Sequence, residues 1–155
     1  MLANDHSAVP KPKYSVLLVD DSEDDRLFLR MAILGHSRMF IAGEVSDGES
    51  AVEYLEGQGC YQDRKKYPFP DAVLLDLKMP RKTGLEVLEW LGEKDFNELF
   101  VAIVSGSYLP EDVARSKALG AHAYFKKNPL REDLNAMLQE LTNSLDNFTH
   151  SSPSQ

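Results

Sequence analysis

The chain has very little cysteine and no long apolar run. Cys60 is its single cysteine, which excludes an intramolecular disulfide and a metal site of the CxxC kind. No stretch approaches the roughly 20 apolar residues that a membrane-spanning helix needs, and residues 1–13 lack the apolar centre of a secretory signal. We therefore expect a reduced, cytoplasmic protein that does not insert into membranes.

Positive charge is also scarce. The chain carries 17 Lys and Arg against 25 Asp and Glu, which gives a net charge of −8. Such a surface repels the phosphates of nucleic acids, so we expect no direct binding to DNA or RNA. The length of 155 residues and the 43% hydrophobic content predict one globular domain with a substantial core.

Five short apolar segments alternate with five segments of helical periodicity; one of these helices carries Leu27, Met31 and Leu34 at helical spacing. Strands are predicted at 14–19, 40–45, 71–76, 99–104 and 123–125, and helices at 24–34, 48–55, 84–91, 111–119 and 130–145. Strict alternation predicts an α/β fold with a parallel sheet covered by helices on both faces.

The predicted domain spans residues 14–146. We expect a flexible N-terminal tail over residues 1–13 and, by composition, a disordered C-terminal tail over residues 147–155. Residues 57–70 form a long connection for a fold of this kind, where about 2–6 residues are usual. This segment is either a surface insertion or a recognition loop.

Reactive side chains follow the predicted strands. They are Asp20 and Asp21 after the first strand, Asp76 after the third, Ser105 after the fourth and Lys127 after the fifth. Because the carboxyl ends of parallel strands share one edge of a sheet, these residues can converge. Three carboxylates in one place repel one another unless a cation joins them, and oxygen ligands suit Mg²⁺. A hydroxyl and an ammonium group are suited to holding phosphoryl oxygens.

Asp76 is the candidate nucleophile of this group. No histidine lies near the strand ends to act as a general base, and a carboxylate needs none because it is already anionic at neutral pH. For Asp76 alone, the simpler interpretation is a polar residue that ends a strand and caps a turn. The side chains at the other strand ends favour attack on an activated phosphorus, which gives an acyl phosphate.

These motifs resemble the receiver domain of two-component response regulators, the family that includes the bacterial chemotaxis response regulator. The resemblance covers roughly residues 15–143 and rests on Asp20-Asp21, on Asp76 with Met79-Pro80 and Gly84, on Val104-Ser105-Gly106, and on Tyr124 with Lys127. It implies a flavodoxin-like five-stranded sheet of order 2-1-3-4-5. Residues 55–64 and 80–84 look like those of stand-alone regulators that partner phytochrome-type histidine kinases.

The resemblance implies a regulatory phosphoacceptor and not an enzyme that acts on other molecules. A sensor histidine kinase or a phosphotransfer protein would phosphorylate Asp76. Mg²⁺ or Mn²⁺ would be held by Asp20, Asp21, Asp76 and the backbone carbonyl of Lys78. Because no effector domain follows residue 145, we expect the output to pass to a downstream protein of unknown identity, or through a homodimer.

The same resemblance implies roles for three residues beyond the carboxylates. Ser105 and Lys127 would contact the phosphoryl group, and Tyr124 would turn inward as Ser105 moves. In most family members proline follows the lysine directly, whereas here Asn128 precedes Pro129. Because a cis bond to a non-proline residue costs about 2.5–4 kcal/mol, a trans Lys127–Asn128 bond is expected. Lys126 is the alternative for the role of Lys127.

Two charged runs receive simpler interpretations. Glu23, Asp24 and Asp25 favour the N-terminus of a helix electrostatically, and the run 64–66 is interpreted as a solvated loop. Two other functions stay open. One is an aspartyl-phosphate phosphatase of the haloacid dehalogenase kind. In that family the nucleophile lies in an Asp-x-Asp motif at the end of the first strand, whereas the candidate nucleophile here follows the third strand. The other is a degenerate receiver that binds partners without phosphate, against which the complete set of site residues argues.

Overall fold

The computed structural model describes residues 10–127 and 130–151. Its elements are β1 (Tyr14–Val19), α1 (Glu23–Leu34), β2 (Met39–Val45), α2 (Gly48–Glu56), β3 (Ala72–Leu75), α3 (Gly84–Leu91), β4 (Phe100–Ser105), α4 (Pro110–Ala118), β5 (Ala123–Lys126) and α5 (Arg131–Ser151). All neighbouring strands pair in parallel, in the order β2-β1-β3-β4-β5. The predicted fold and strand order are confirmed.

The central strands are buried on both faces of the sheet. Leu18 of β1 and Leu74 of β3 belong to a core beneath α1 and α5. Leu17 and Leu75 belong to a second core beneath α2 and α3. Because successive side chains of a strand point to opposite faces, a run of apolar residues serves both cores at once. This arrangement leaves the strand ends as the place where polar side chains collect.

The helix α1 exposes much of its apolar surface. Leu29 and Ile33 face the core, whereas Leu27, Met31 and Leu34 are 40%, 51% and 73% exposed. The helical spacing of Leu27, Met31 and Leu34, from which this helix is predicted, therefore belongs to its solvent-exposed face and not to its buried face. Phe28 lies on the same side and is 41% exposed. We refer to these exposed side chains, Leu27, Phe28, Met31 and Leu34, as the α1 stripe.

The last helix is longer than its composition predicts. Residues 147–151 belong to α5, so the expectation of a disordered tail from residue 147 is wrong for them. The reason is tertiary packing. Phe148 lies edge-on to Phe100 and His122, with ring centroids 5.4 and 4.9 Å apart. Asp146 accepts two hydrogen bonds from the guanidinium of Arg38.

The other predictions about the chain ends lie partly outside the described residues. Residues 10–13 have no regular structure. Residues 1–9 and 152–155 lie outside the described part, as do Asn128 and Pro129, and with them the predicted trans bond. In the described ranges, no helix is both long enough and apolar enough to cross a membrane.

The segment 57–70 packs against the end of α2 and contains a 3₁₀ helix, Gly59–Tyr61. Arg64 donates hydrogen bonds to the carbonyls of Tyr54 and Leu55 at 2.8 and 2.9 Å. Since the last carbonyls of a helix lack partners within it, the guanidinium caps α2. The interpretation of Arg64 as part of a solvated loop is wrong, whereas Lys65 and Lys66 are exposed.

Candidate functional site

Backbone pairing brings Asp20 and Asp76 together at the carboxyl edge of the sheet. Val19 pairs with Leu75 across β1 and β3, and the amide of Asp76 donates to the carbonyl of Val19 at 2.9 Å. Each aspartate is the next residue after its paired strand position. Both are buried, so two carboxylates share a site with little access to water.

Asp21 completes a cluster of three carboxylates. One carboxylate oxygen from each of Asp20, Asp21 and Asp76 lies within 4.8 Å of the other two, and Asp21 is exposed. Burial raises the pKa of Asp76 to about 6; the positive charge of Lys127 opposes this shift, and the negative charge of Asp20 adds to it. A close set of oxygen donors with excess negative charge fits a hard divalent cation.

The first turn of α1 fixes the orientation of Asp20. The amide of Ser22 donates to Oδ1 of Asp20 at 2.9 Å, and Arg26 donates to the carbonyl of Asp20 at 2.6 Å. Ser22 is also the N-cap of α1, because its hydroxyl accepts from the amide of Asp25 at 3.2 Å. Asp20 is therefore held by the start of the helix that follows it.

Lys127 places its ammonium group among carboxylates. Its Nζ lies 2.7 Å from Asp25, 2.9 Å from Asp20 and 3.2 Å from Asp76. Burial alone would lower the pKa of Lys127, but hydrogen bonds to Asp25 and Asp20 and the charge of Asp76 together raise it. By contrast, Nζ of Lys126 lies 5.4 Å from the ring centroid of Tyr108. The geometry places Lys127 at the carboxylates.

Ser105 and Tyr124 are connected through one intermediate residue. Ser105 is buried at the end of β4, and its hydroxyl accepts from the amide of Ser107 at 3.1 Å. The hydroxyl of Tyr124 donates to the carbonyl of Ser107 at 2.7 Å. A movement of Ser105 would therefore disturb the segment that also holds the tyrosine hydroxyl.

The loop after Asp76 returns closely to its starting point. The amide of Gly84 donates to the carbonyl of Leu77, the residue after Asp76, at 2.9 Å. A Cβ on Gly84 would lie 2.2 Å from the carbonyl oxygen of Asp76. The loop is thus packed against the backbone of the candidate nucleophile itself.

Sequence reasoning missed Asp25 and Arg81. Asp25 does more than favour a helix terminus, because it contacts Lys127 within the site. Arg81 adopts a positive φ of 64° and forms an ion pair with Asp47, a buried residue that caps α2. The position of Asp25 one helical turn after Asp21 was the single sequence signal that could have indicated its role. Nothing in the sequence indicates the Arg81–Asp47 ion pair.

Comparison with known proteins points to one family. A family model described as the response regulator receiver domain matches residues 16–139. Response regulator Rcp1 of Synechocystis sp. is 33% identical over 141 residues, which cover 88% of this chain and 89% of Rcp1. Other curated relatives are longer, and the chain spans 18–50% of their length.

Solved structures agree with this comparison. Response regulator RPA3017, from red light signaling of R. palustris, is 30% identical, with a TM-score of 0.76 over 94% of this chain and 100% of that one. The phosphorylated cyanobacterial phytochrome response regulator RcpA is 26% identical, with a TM-score of 0.71 over 92% and 97%. The Mn²⁺-bound form of Rcp1 gives 28% and 0.69, over 83% and 91%.

Proposed function

The chain belongs to the response regulator receiver domain family, and from this we propose that Asp76 accepts a phosphoryl group from a phosphohistidine donor. The observation that carries this proposal is the convergence of two other aspartates and one lysine on the buried carboxylate of Asp76. The phosphorylated state of one related regulator, RcpA, supports the same chemistry. The chain would act as a regulatory switch that promotes its own phosphorylation and dephosphorylation.

In the transfer step an oxygen of the Asp76 carboxylate attacks phosphorus. A P–O bond to Asp76 forms as the P–N bond to the donor imidazole breaks, and the imidazole leaves with the electron pair. Asp20, Asp21, Asp76 and the carbonyl of Lys78 would hold Mg²⁺ or Mn²⁺, which neutralises charge on the phosphoryl oxygens. The ammonium of Lys127, already among the carboxylates, would bind a phosphoryl oxygen.

Ser105 and Tyr124 would report the phosphorylation. The hydroxyl of Ser105 accepts from the amide of Ser107, so its own proton can be donated to a phosphoryl oxygen, toward which the side chain would move. That movement alters the segment on which the Tyr124 hydroxyl depends, since the carbonyl of Ser107 is its acceptor. We propose that the face around Tyr124 then changes its affinity for a downstream protein or for a second copy of the chain.

We propose a sensor histidine kinase of the phytochrome type as the donor, because RcpA is a phytochrome response regulator and RPA3017 belongs to red light signaling. A protein donor must cover the rim of the site to bring its histidine to Asp76. The α1 stripe begins next to the site, because its first residue, Leu27, lies only two residues after Asp25, which contacts Lys127. The stripe is therefore the proposed contact surface for the donor.

The substitution Phe28→Ala tests this surface. We expect phosphotransfer from the host kinase that labels the wild-type protein fastest to slow by about tenfold, as for the loss of an apolar anchor at an interface. Labelling by acetyl phosphate, which needs no protein contact, should stay within about twofold. The matched control is Phe40→Ala in β2, since Phe40 is 48% exposed and Phe28 41%. Equal transfer rates for both variants would remove the α1 stripe from the donor interface.

The proposed function itself is tested by intact-mass spectrometry of the wild-type protein. Incubation with acetyl phosphate and Mg²⁺ should add the mass of one phosphoryl group, and a chelator in place of Mg²⁺ should prevent this gain. Folding is checked in the same samples by circular dichroism. A folded protein that gains no phosphoryl mass with Mg²⁺, from acetyl phosphate or from any host kinase, would contradict the switch model.

A further inference from the structure

Asp25 is a fourth carboxylate at the site and does not belong to the cluster of three that could hold a metal. It stands in the first turn of α1 and makes the shortest of the three contacts to Nζ of Lys127, at 2.7 Å. Its side chain is 36% exposed, whereas those of Asp20 and Asp76 are 4% and 7% exposed. The ammonium thus bridges the outer carboxylate and the two inner ones.

In this geometry the ammonium of Lys127 and a divalent cation would compete for the inner carboxylates, Asp20 and Asp76. An ammonium that pairs fully with Asp20 and Asp76 would neutralise the groups that a divalent cation needs, and the two cations would repel each other. A carboxylate on the outer side of Lys127 opposes this, because it attracts the ammonium away from the metal position. Asp25 occupies that outer side, on a helix whose start Ser22 fixes.

We propose that Asp25 is a positioning residue for Lys127. It gives the ammonium a third partner, at 2.7 Å, to which the ammonium can stay paired when Mg²⁺ takes over Asp20 and Asp76, the carboxylates that Lys127 contacts at 2.9 and 3.2 Å. This inference rests on the proposed function, since it takes Mg²⁺ as the metal of the site. It concerns the unphosphorylated protein and Mg²⁺ alone, so no phosphodonor is needed to test it.

The substitution Asp25→Asn should weaken Mg²⁺ binding by about three- to tenfold, the range of coupling between neighbouring charged groups. The dissociation constant is measured by titrating metal-free protein with MgCl₂ and following backbone amide resonances near the site by NMR, which also report folding. Asp25→Glu retains the charge and should bind Mg²⁺ more tightly than Asp25→Asn. Asp24→Asn is the matched control, because Asp24 is the exposed neighbour in the same turn.

A double-mutant cycle with Lys127→Met separates positioning from the charge of Asp25 itself. If Asp25 acts through Lys127, Asp25→Asn should weaken Mg²⁺ binding at least about threefold more in the wild-type background than in Lys127→Met. Equal effects in the two backgrounds, or an effect of Asp25→Asn no larger than that of Asp24→Asn, would overturn the inference. Failure of the wild-type protein to bind Mg²⁺ at all would instead contradict the proposed function.

Discussion

Asp76→Asn should abolish the gain of one phosphoryl group from acetyl phosphate and Mg²⁺ while the protein stays folded. The amide oxygen of asparagine is a weak nucleophile compared with a carboxylate oxygen, and the substitution leaves the size of the side chain unchanged. Intact-mass spectrometry measures the loss, with Asp24→Asn as a control that should label like the wild type. Labelling of Asp76→Asn at the wild-type rate would place the phosphoacceptor elsewhere.

The difference in stability between Asp76→Asn and the wild type should depend on pH. Folding raises the pKa of Asp76 from 3.8 to about 6, so between these values the folded protein retains a proton that the unfolded chain has lost. Stability of the metal-free wild type therefore falls as the pH rises through this window. At pH 8 the buried charge costs on the order of 1–3 kcal/mol, which Asp76→Asn regains.

Chemical denaturation in chelator measures this difference. Asp76→Asn should be the more stable protein at pH 8, and most of its advantage should be lost by pH 4, where the carboxyl is protonated in the folded wild type and only about half ionised in the unfolded chain. A constant difference across this range would show that the charge of Asp76 is not destabilising in the fold.

The alternation of apolar segments predicted the order of the five strands and five α-helices of the described residues, because the buried strands of a parallel sheet are continuous apolar runs. The 3₁₀ helix Gly59–Tyr61 was not predicted. Which face of a helix turns inward is harder to predict. The segment 23–34 carries apolar residues on two sides, and periodicity alone does not decide between Leu29 with Ile33 and the α1 stripe. The extension of α5 depends on Phe148 meeting Phe100, a contact 48 residues away in sequence.

The part of the candidate site that lies directly after strands could be predicted from the sequence. Asp20, Asp76 and Lys127 come directly after paired strands, so topology alone brings them together. Asp25 and Arg81 were not predictable in this way. Their partners, Lys127 and Asp47, lie in other elements, and a charged residue in a helix start or a turn has many solvated alternatives. The missed residues are thus those whose roles depend on side-chain contacts between elements.

Gly84→Ala should be strongly destabilising, because there is no room for a side chain where α3 begins. A Cβ at this position would lie 2.2 Å from the carbonyl oxygen of Asp76 and 2.7 Å from Cα of Leu77. Both atoms belong to the backbone, so a rotamer change cannot relieve the clash, and the loop that carries Lys78 must move. We expect a loss of about 2–4 kcal/mol in the free energy of unfolding, as for overpacking in a rigid environment.

Urea denaturation measures this loss, with Gly35→Ala as the matched control. A Cβ on Gly35 would meet the carbonyl oxygens of Ala32 and Met31 at 3.7 Å, an ordinary contact, so that variant should stay within about 0.5 kcal/mol of the wild type. Since the displaced atoms include the carbonyl of Asp76, the folded fraction of Gly84→Ala should also bind Mg²⁺ more weakly. If Gly84→Ala had the same free energy of unfolding as the wild type, the loop could rearrange without loss of stability. Its close packing would then not position the phosphoacceptor.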